Sequence, residues 1–227
     1  MNLQDKIVLA HKGFFDKESE KIYKENSVEV CKISTTKDYI SIIELDVRKS
    51  KDGVLFCYHG TLFQYWFGFI IPQFFFDIKK KYHVDTLAEI LSVITEDKII
   101  FFDLKSKSIT KSDILNAVKG KKFRQVIIGG LANNTYSSHN FNDLPEEFVR
   151  IMNGHVFCIF YDLKKLKDRG YAYFEVVFPF QVNKKIIQRV KENNMDFRCT
   201  GLFFRNKKNY WRKIKEYNIN HVSSDFI

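Results

Sequence analysis

The sequence predicts an α/β protein, a (β/α)8 barrel, and three observations lead there. Eight short apolar, β-branched or aromatic runs alternate with amphipathic helical stretches along 227 residues. Polar residues collect at the C-terminal ends of the first three runs, where a barrel keeps its functional groups. No G-x-G-x-x-G or P-loop follows a run, so the competing open, doubly wound sheet lacks its usual fingerprint.

In chain order the runs are KIVLAH (6–11), SIIELDV (41–47), KIIFFDLK (98–105), QVIIGGL (125–131), HVFCIFY (155–161), YFEVVFP (173–179), FRCTGLFF (197–204) and NHVSSDF (220–226). Each is short and rich in residues that suit a pleated surface. Helices are expected at ENSVEVCKISTT (25–36), DTLAEILSVIT (85–95), KSDILNAVKG (111–120), DLPEEFVRIM (143–152), NKKIIQRVKENN (183–194) and KNYWRKIKEYN (208–218). The chain is short for this fold and stops directly after the eighth run, so the last helix should be missing. VLFCYH (54–59) should fold back at KDG (51–53) as a hairpin on the second strand, bringing His59 to the same rim. An aromatic insert, TLFQYWFGFIIPQFFF (61–76), follows, broken by Gly68 and Pro72. No repeat, low-complexity tract or linker divides the chain, which reads as one domain, 1–227.

Composition narrows the function classes. No apolar run approaches the roughly 20 residues that span a bilayer, and the N-terminus lacks the pattern of a secretory signal. Four cysteines (Cys31, Cys57, Cys158, Cys199) are scattered without a C-x-x-C pair, which favours reduced thiols in a cytoplasmic setting over disulfides or a zinc site. The net charge of +10 raises the question of nucleic acid. The lysines spread along the whole sequence and no recognised nucleic-acid motif occurs, so a solvated basic surface is expected and no nucleic-acid partner. The insert is expected to pack its rings over the barrel mouth. The competing reading is a peripheral membrane contact through residues 62–76, or a lip for an apolar or sugar-bearing substrate. Oligomeric state is not encoded legibly.

The chemistry concentrates in IIELDVRKSKDGVLFCYHG (42–60). Strand side chains alternate, so Glu44 and Asp46 face the same way, roughly 7 Å apart. Asp103 and Lys105 repeat that spacing on the next strand. Turned inward, Glu44 and Asp46 would repel by about 2 kcal/mol at an effective dielectric near 20, before any desolvation cost. A lysine offsets part of this, but three converging carboxylates ask for a divalent cation. Oxygen-only ligation favours Mg²⁺ or Ca²⁺, with Mn²⁺ also suited, over zinc. His11 and His59 fall at neighbouring strand ends.

These residues resemble the glycerophosphodiester phosphodiesterase family, whose members are (β/α)8 barrels. The family pattern runs H-R-G, P-E-N-T, E-x-D-V-x-x-(T/S)-K-D-G, H-D and E-x-K. Here HKG (11–13), KENS (24–27), ELDVRKSKDG (44–53), HG (59–60) and DLK (103–105) stand in the same order. VDTLAEIL (84–91) is similar to the family's P-T-L-x-E-x-L, and the closing SSDF to its terminal T-D. The match is good over the first half and thin from about Val126 onward.

The resemblance implies metal-dependent hydrolysis of a phosphodiester, with a glycerophosphodiester as the usual substrate and a cyclic phosphate as one route. Its metal ligands carry over onto Glu44, Asp46 and Asp103, and its acid–base histidines onto His11 and His59, without saying which is which. Lys12 and Lys105 would contact substrate phosphate or the ligand carboxylates, and Glu25 and Asn26 would support the metal from behind. The sequence departs from the pattern at Lys12 (for arginine), Asp103 (for glutamate), Gly60 (for aspartate) and CTGLFF (for W-T-V-N). Those departures keep three alternatives open: a lysophospholipase D-like enzyme, a phosphodiesterase of glycerol-phosphate glycans, and a non-catalytic barrel binding a phosphorylated ligand.

Overall fold

The computed structural model describes residues 5–60, 73–130, 144–154, 162–176, 180, 182–199 and 206–227. Its strands are β1 (Ile7–Ala10), β2 (Ile40–Lys49), β3 (Leu55–Cys57), β4 (Ile99–Leu104), β5 (Gln125–Gly129), β6 (Phe148–Gly154), β7 (Tyr171–Val176), β8 (Asp196–Cys199) and β9 (His221–Ser223). They hydrogen-bond in the order β1-β9-β8-β7-β6-β5-β4-β2-β3, and a further β1–β2 pairing closes the circle. Eight strands are thus parallel staves of a barrel. β3 is the ninth, an antiparallel arm on β2 with Val47 opposite Cys57 and Lys49 opposite Leu55. The expected hairpin is present. Its turn needs Gly53, whose φ of 86° is one that side chains rarely adopt.

The described helices are α1 (Ser19–Ile22), α2 (Val28–Thr35), α3 (Phe75–Tyr82), α4 (Leu87–Leu91), α5 (Lys111–Ala117), α6 (Leu163–Asp168), α7 (Lys184–Glu192) and α8 (Lys207–Glu216). After β9 the chain forms a 3-10 turn, Ser224–Phe226. None of the helices is long and apolar enough to cross a membrane.

Alternation along the strands sorts the core into two shells. Leu9, Ile42, Phe101, Ile127, Ile151 and Tyr173 pack against one another inside the barrel. Their chain neighbours, such as Val8, Ile43, Ile100, Phe102, Ile128 and Phe174, point outward under the helices. Each fully buried aliphatic or phenyl side chain contributes roughly 1.5–3 kcal/mol. Because the inward parity on β2 and β4 is 42, 44, 46 and 99, 101, 103, the same rule that buries Ile42 and Phe101 aims Glu44, Asp46 and Asp103 into the barrel. Gly129 on β5 lies beside Asp103 in register. A Cβ there would come within 2.5 Å of Phe101 and Ile151, so glycine makes room for the phenyl ring beneath the carboxylates. At the closing seam, the Tyr210 hydroxyl donates to the Cys199 carbonyl and accepts from Ser223 N–H, pinning α8 to β8 and β9.

One stretch differs from its sequence reading. DLPEEFVRIM was expected to be a helix, but Phe148–Gly154 is the strand β6, with Val126, Ile127 and Ile128 paired to Phe148, Val149 and Arg150. Its apolar residues satisfy both periods, and the open edge of β5 decides the matter. The run expected as that strand, HVFCIFY, lies outside the described residues, as do residues 61–72 of the aromatic insert and Cys158.

Candidate active site

At the C-terminal mouth, one face of β2 and β4 brings three carboxylates together. Asp46 and Asp103 are direct register partners. Glu44, Asp46 and Asp103 are all buried and each offers an oxygen within 4.8 Å of the others. Lys105, whose side chain is buried, sits against two of them, with Nζ 2.7 Å from Asp103 Oδ2 and 3.0 Å from Asp46 Oδ1. The first contact is a hydrogen bond. The second is an ion pair out of line for one, so Asp46 Oδ1 accepts no hydrogen bond; neither does Asp103 Oδ1. Two buried carboxylate oxygens therefore accept no hydrogen bond among the described residues, in a cluster of three acids and one ammonium. Buried acceptors are normally satisfied. The formal charge of −2 equals and opposes that of a divalent cation, and an all-oxygen donor set suits a hard ion. The residues present fit such a metal.

The sequence motifs build the walls. HKG turns sharply after β1, with Lys12 at φ 55° and Gly13 at φ 83°. Gly13 is required there, since a Cβ would meet Cys31 Sγ and Val30 Cγ1 at 2.9 Å. The turn aims the Lys12 N–H at Glu44 Oε2, 2.6 Å away. The Lys12 ammonium pairs with Glu25 at 2.9 Å. Asn26 takes a left-handed φ of 54°, and its amide grips Asp46 twice, Nδ2 donating to Oδ2 (2.8 Å) and Oδ1 accepting from the Asp46 N–H (2.9 Å). Arg48, the next inward position on β2, donates from Nε to the Tyr58 carbonyl and from Nη2 to the His59 carbonyl, both at 2.7 Å. It ties the returning hairpin arm to the carboxylate strand.

The two imidazoles differ. His11 Nδ1 lies 3.1 Å from the Asp225 carboxylate, and the His11 N–H donates to Ser224 Oγ at 3.1 Å. Burial opposes a charged His11, but Asp225 outweighs it, with help from Glu44, and the pKa rises to about 9. Conversely, burial would raise Asp225, and His11 holds it below the usual range. His59 Nδ1 is 2.8 Å from the Gly60 carbonyl. Burial lowers the pKa of His59; Asp46 opposes that, while Lys105 and Lys12 reinforce it. Nδ1 is thus the protonated nitrogen and Nε2 keeps a lone pair. The carboxylates split as well. Burial together with Asp46 and Asp103 pushes Glu44 up to about 8. Asp46 is held well down because Lys105, His59, Asn26 and His11 together overcome burial. Asp46 therefore feels both imidazoles, so His11 and His59 both lie near the one cluster.

Beside His11 opens a cleft of about 1170 Å³ lined by His11, Lys12, Tyr23, Glu25, Lys207 and Asp225, among others. All the residues singled out from the sequence (His11, Lys12, Glu25, Asn26, Glu44, Asp46, His59, Asp103 and Lys105) meet at this one mouth. The sequence reading assigned no role to Asp225 or Arg48. The only signal for Asp225 was the terminal SSDF, which carries no spacing rule linking it to a residue 214 positions away.

No protein-family model matches the sequence, and no curated protein matches it. Solved structures do match. The chain superposes on a glycerophosphodiester phosphodiesterase from Thermotoga maritima with a TM-score of 0.69 at 18% identity, covering 97% of this chain and 95% of that one. It is also similar to one from Agrobacterium tumefaciens (TM-score 0.68, 16% identity, 97% of each chain). A third, from Parabacteroides distasonis, matches with a TM-score of 0.65 at 16% identity, covering 97% and 93%. The chain has the barrel fold found in those glycerophosphodiester phosphodiesterases.

Proposed function

We propose that the protein is a metal-dependent phosphodiesterase acting on a glycerophosphodiester or a related lipid-derived diester. The observation that supports this best is the buried carboxylate trio with two oxygens that accept no hydrogen bond among the described residues, near two imidazoles of opposite protonation. Glu44, Asp46 and Asp103 would hold the cation, Mg²⁺ or Ca²⁺ by their hard donor set. When bound, such an ion neutralises a phosphoryl oxygen as charge builds on it. Lys105 keeps Asp46 ionised and pairs with both Asp46 and Asp103, holding them facing each other. Asn26 fixes Asp46, and the Lys12 amide fixes Glu44.

Proton transfer falls to the histidines. His59, neutral with its Nε2 lone pair available, suits removal of the proton from the attacking hydroxyl. His11, kept charged by Asp225, suits donation to the departing alkoxide, whose expulsion unaided is slow at neutral pH. The attacker would be water or a neighbouring hydroxyl of the substrate, the latter giving a cyclic phosphate. Cys31 and Cys57 are buried thiols outside any disulfide, which supports the cytoplasmic setting expected from the sequence.

The test compares an alkyl with an aryl phosphodiester in the presence of Mg²⁺ or Ca²⁺. An aryl leaving group needs little protonation. His11→Ala should therefore cost about 10²–10⁴-fold on the alkyl diester and far less on the aryl one, whereas His59→Ala should impair both. Turnover that survives chelation, or is indifferent to both substitutions, contradicts the proposal.

A further inference from the structure

Four large apolar side chains are exposed among the described residues: Ile22 (70%), Phe74 (52%), Phe76 (76%) and Phe180 (60%). All four lie between the C-terminal end of a strand and the barrel helix that follows, the face that carries the carboxylates. Ile22 ends α1, after β1, and Phe180 follows β7. Phe74 and Phe76 begin α3 and are held to the hairpin turn, where Phe75 N–H donates to Asp52 Oδ1 and Lys51 N–H to the Gln73 carbonyl, both at 2.9 Å. Phe75 and Ile78 pack inward on Phe56, leaving Phe74 and Phe76 turned to solvent. Lys24, two residues past Ile22, donates to the His83 carbonyl at 2.6 Å, placing the end of α1 against the end of α3.

Lysines stand among these side chains, with the acids Glu18, Glu20 and Asp77 interspersed. Lys51 lies 5.0 Å from the centre of the Phe74 ring, and Lys79, Lys80 and Lys81 are exposed on α3. Lys184 and Lys185 open α7 and Lys208 stands in the first turn of α8, where no acid is present in either helix. The helix dipole disfavours a cation at that end, so these lysines sit against local preference on the rim around the site.

We propose that this face docks on an anionic lipid bilayer with the barrel mouth toward the headgroups. Exposed phenyl rings interleaved with lysines are the chemistry of an interfacial contact, apolar tips entering the acyl boundary and ammonium groups meeting anionic headgroups. A protein partner would call for one contiguous, shape-matched patch. Here the apolar groups are dispersed over three loops round the mouth, which a fluid surface accommodates. A second copy would carry the same net charge of +10 and be repelled. The docking stands apart from the phosphodiesterase reading; only the further statement that the diester is drawn from the bilayer rests on that reading.

The experiment is co-sedimentation of the full chain with vesicles of phosphatidylcholine alone and of phosphatidylcholine mixed with phosphatidylglycerol. The wild type should pellet with the mixed vesicles, less so as salt rises. Phe74→Ser/Phe76→Ser should weaken binding about tenfold or more, and Lys184→Glu/Lys185→Glu should weaken it severalfold and flatten its salt dependence. Both variants should turn over a soluble aryl diester at the wild-type rate. Vesicle binding as expected without any turnover would keep the docking and remove the enzyme reading. Equal pelleting of the wild type and the phenylalanine variant, or indifference to phosphatidylglycerol, overturns the proposal. A concentration-dependent dimer abolished by Phe74→Ser/Phe76→Ser would assign the face to a second copy instead.

Discussion

Among the described residues the barrel interior holds two buried polar clusters, and they solve the same problem in opposite ways. On β2 and β4, three carboxylates face one ammonium, and Asp46 Oδ1 and Asp103 Oδ1 accept no hydrogen bond among the described residues. Across the barrel, on β7 and β8, Glu175 meets Arg198 one to one, Oε1 to Nε at 3.1 Å, and the two are register partners. Arg198 also lies over the Phe101 ring at 4.6 Å, and His221 next to it stacks edge-on with Tyr173. The second cluster pairs its charges one to one; Glu175 Oε1, Arg198 Nη1 and His221 Nδ1 make no hydrogen bond there, but the carboxylate oxygen lies in the ion pair and the other two atoms are nitrogens. A balanced buried pair needs nothing from outside; an unbalanced acidic one needs a cation. Burial alone does not mark a functional site, whereas uncompensated charge does.

The comparison can be broken from either side. The largest effect is expected from Asp46→Ala, which removes a ligand, a Lys105 partner and the anchor of Asn26. Its kcat on a diester should fall about 10⁴-fold, measured with the fold checked by circular dichroism. Arg198→Met should instead act on stability, leaving Glu175 buried and alone, at a cost of about 4 kcal/mol in urea unfolding. The double variant Glu175→Leu/Arg198→Met should regain most of that, because a neutral pair can be replaced by apolar bulk. If Arg198→Met were the more damaging to turnover, the two clusters would have been assigned the wrong way round.

Acid should reveal the second cluster through His221. Burial, with Arg198 adding, lowers its pKa from 6.5 to about 4. The folded state then binds fewer protons than the unfolded one between those values, so stability falls as pH drops below 6.5 and levels off near 4. The total is about 3 kcal/mol, and unfolding curves at about pH 7 and about pH 4.5 should show most of it. His221→Asn should remove this part of the slope. Smallest is Arg48→Gln, which gives up a guanidinium bond to the hairpin arm. It should lower kcat about tenfold with KM little changed, and Arg48→Lys should recover only part.

The legible parts of this molecule are those whose physics is local. Alternation put Glu44 with Asp46 and Asp103 with Lys105, and the KDG turn returned His59, because a strand and a tight turn fix geometry over two or three residues. Asn26 and Lys12 were found through their motifs, though not what each grips. The Glu175–Arg198 pair gave no signal, since it arises from the register of two strands that sequence spacing does not state. Asp225 reaches His11 only because the barrel closes the last strand on the first. DLPEEFVRIM reads as a helix because its last five residues, Phe148–Met152, have a mixed apolar pattern that fits either period until a neighbouring strand edge chooses.

Titration calorimetry of the metal-stripped chain with Ca²⁺ and with Mg²⁺ tests the account most directly. It predicts one divalent ion bound per chain, lost in Asp46→Asn and in Glu44→Gln but retained in Glu175→Gln. No binding by the wild type, or binding that survives Asp46→Asn, would contradict it.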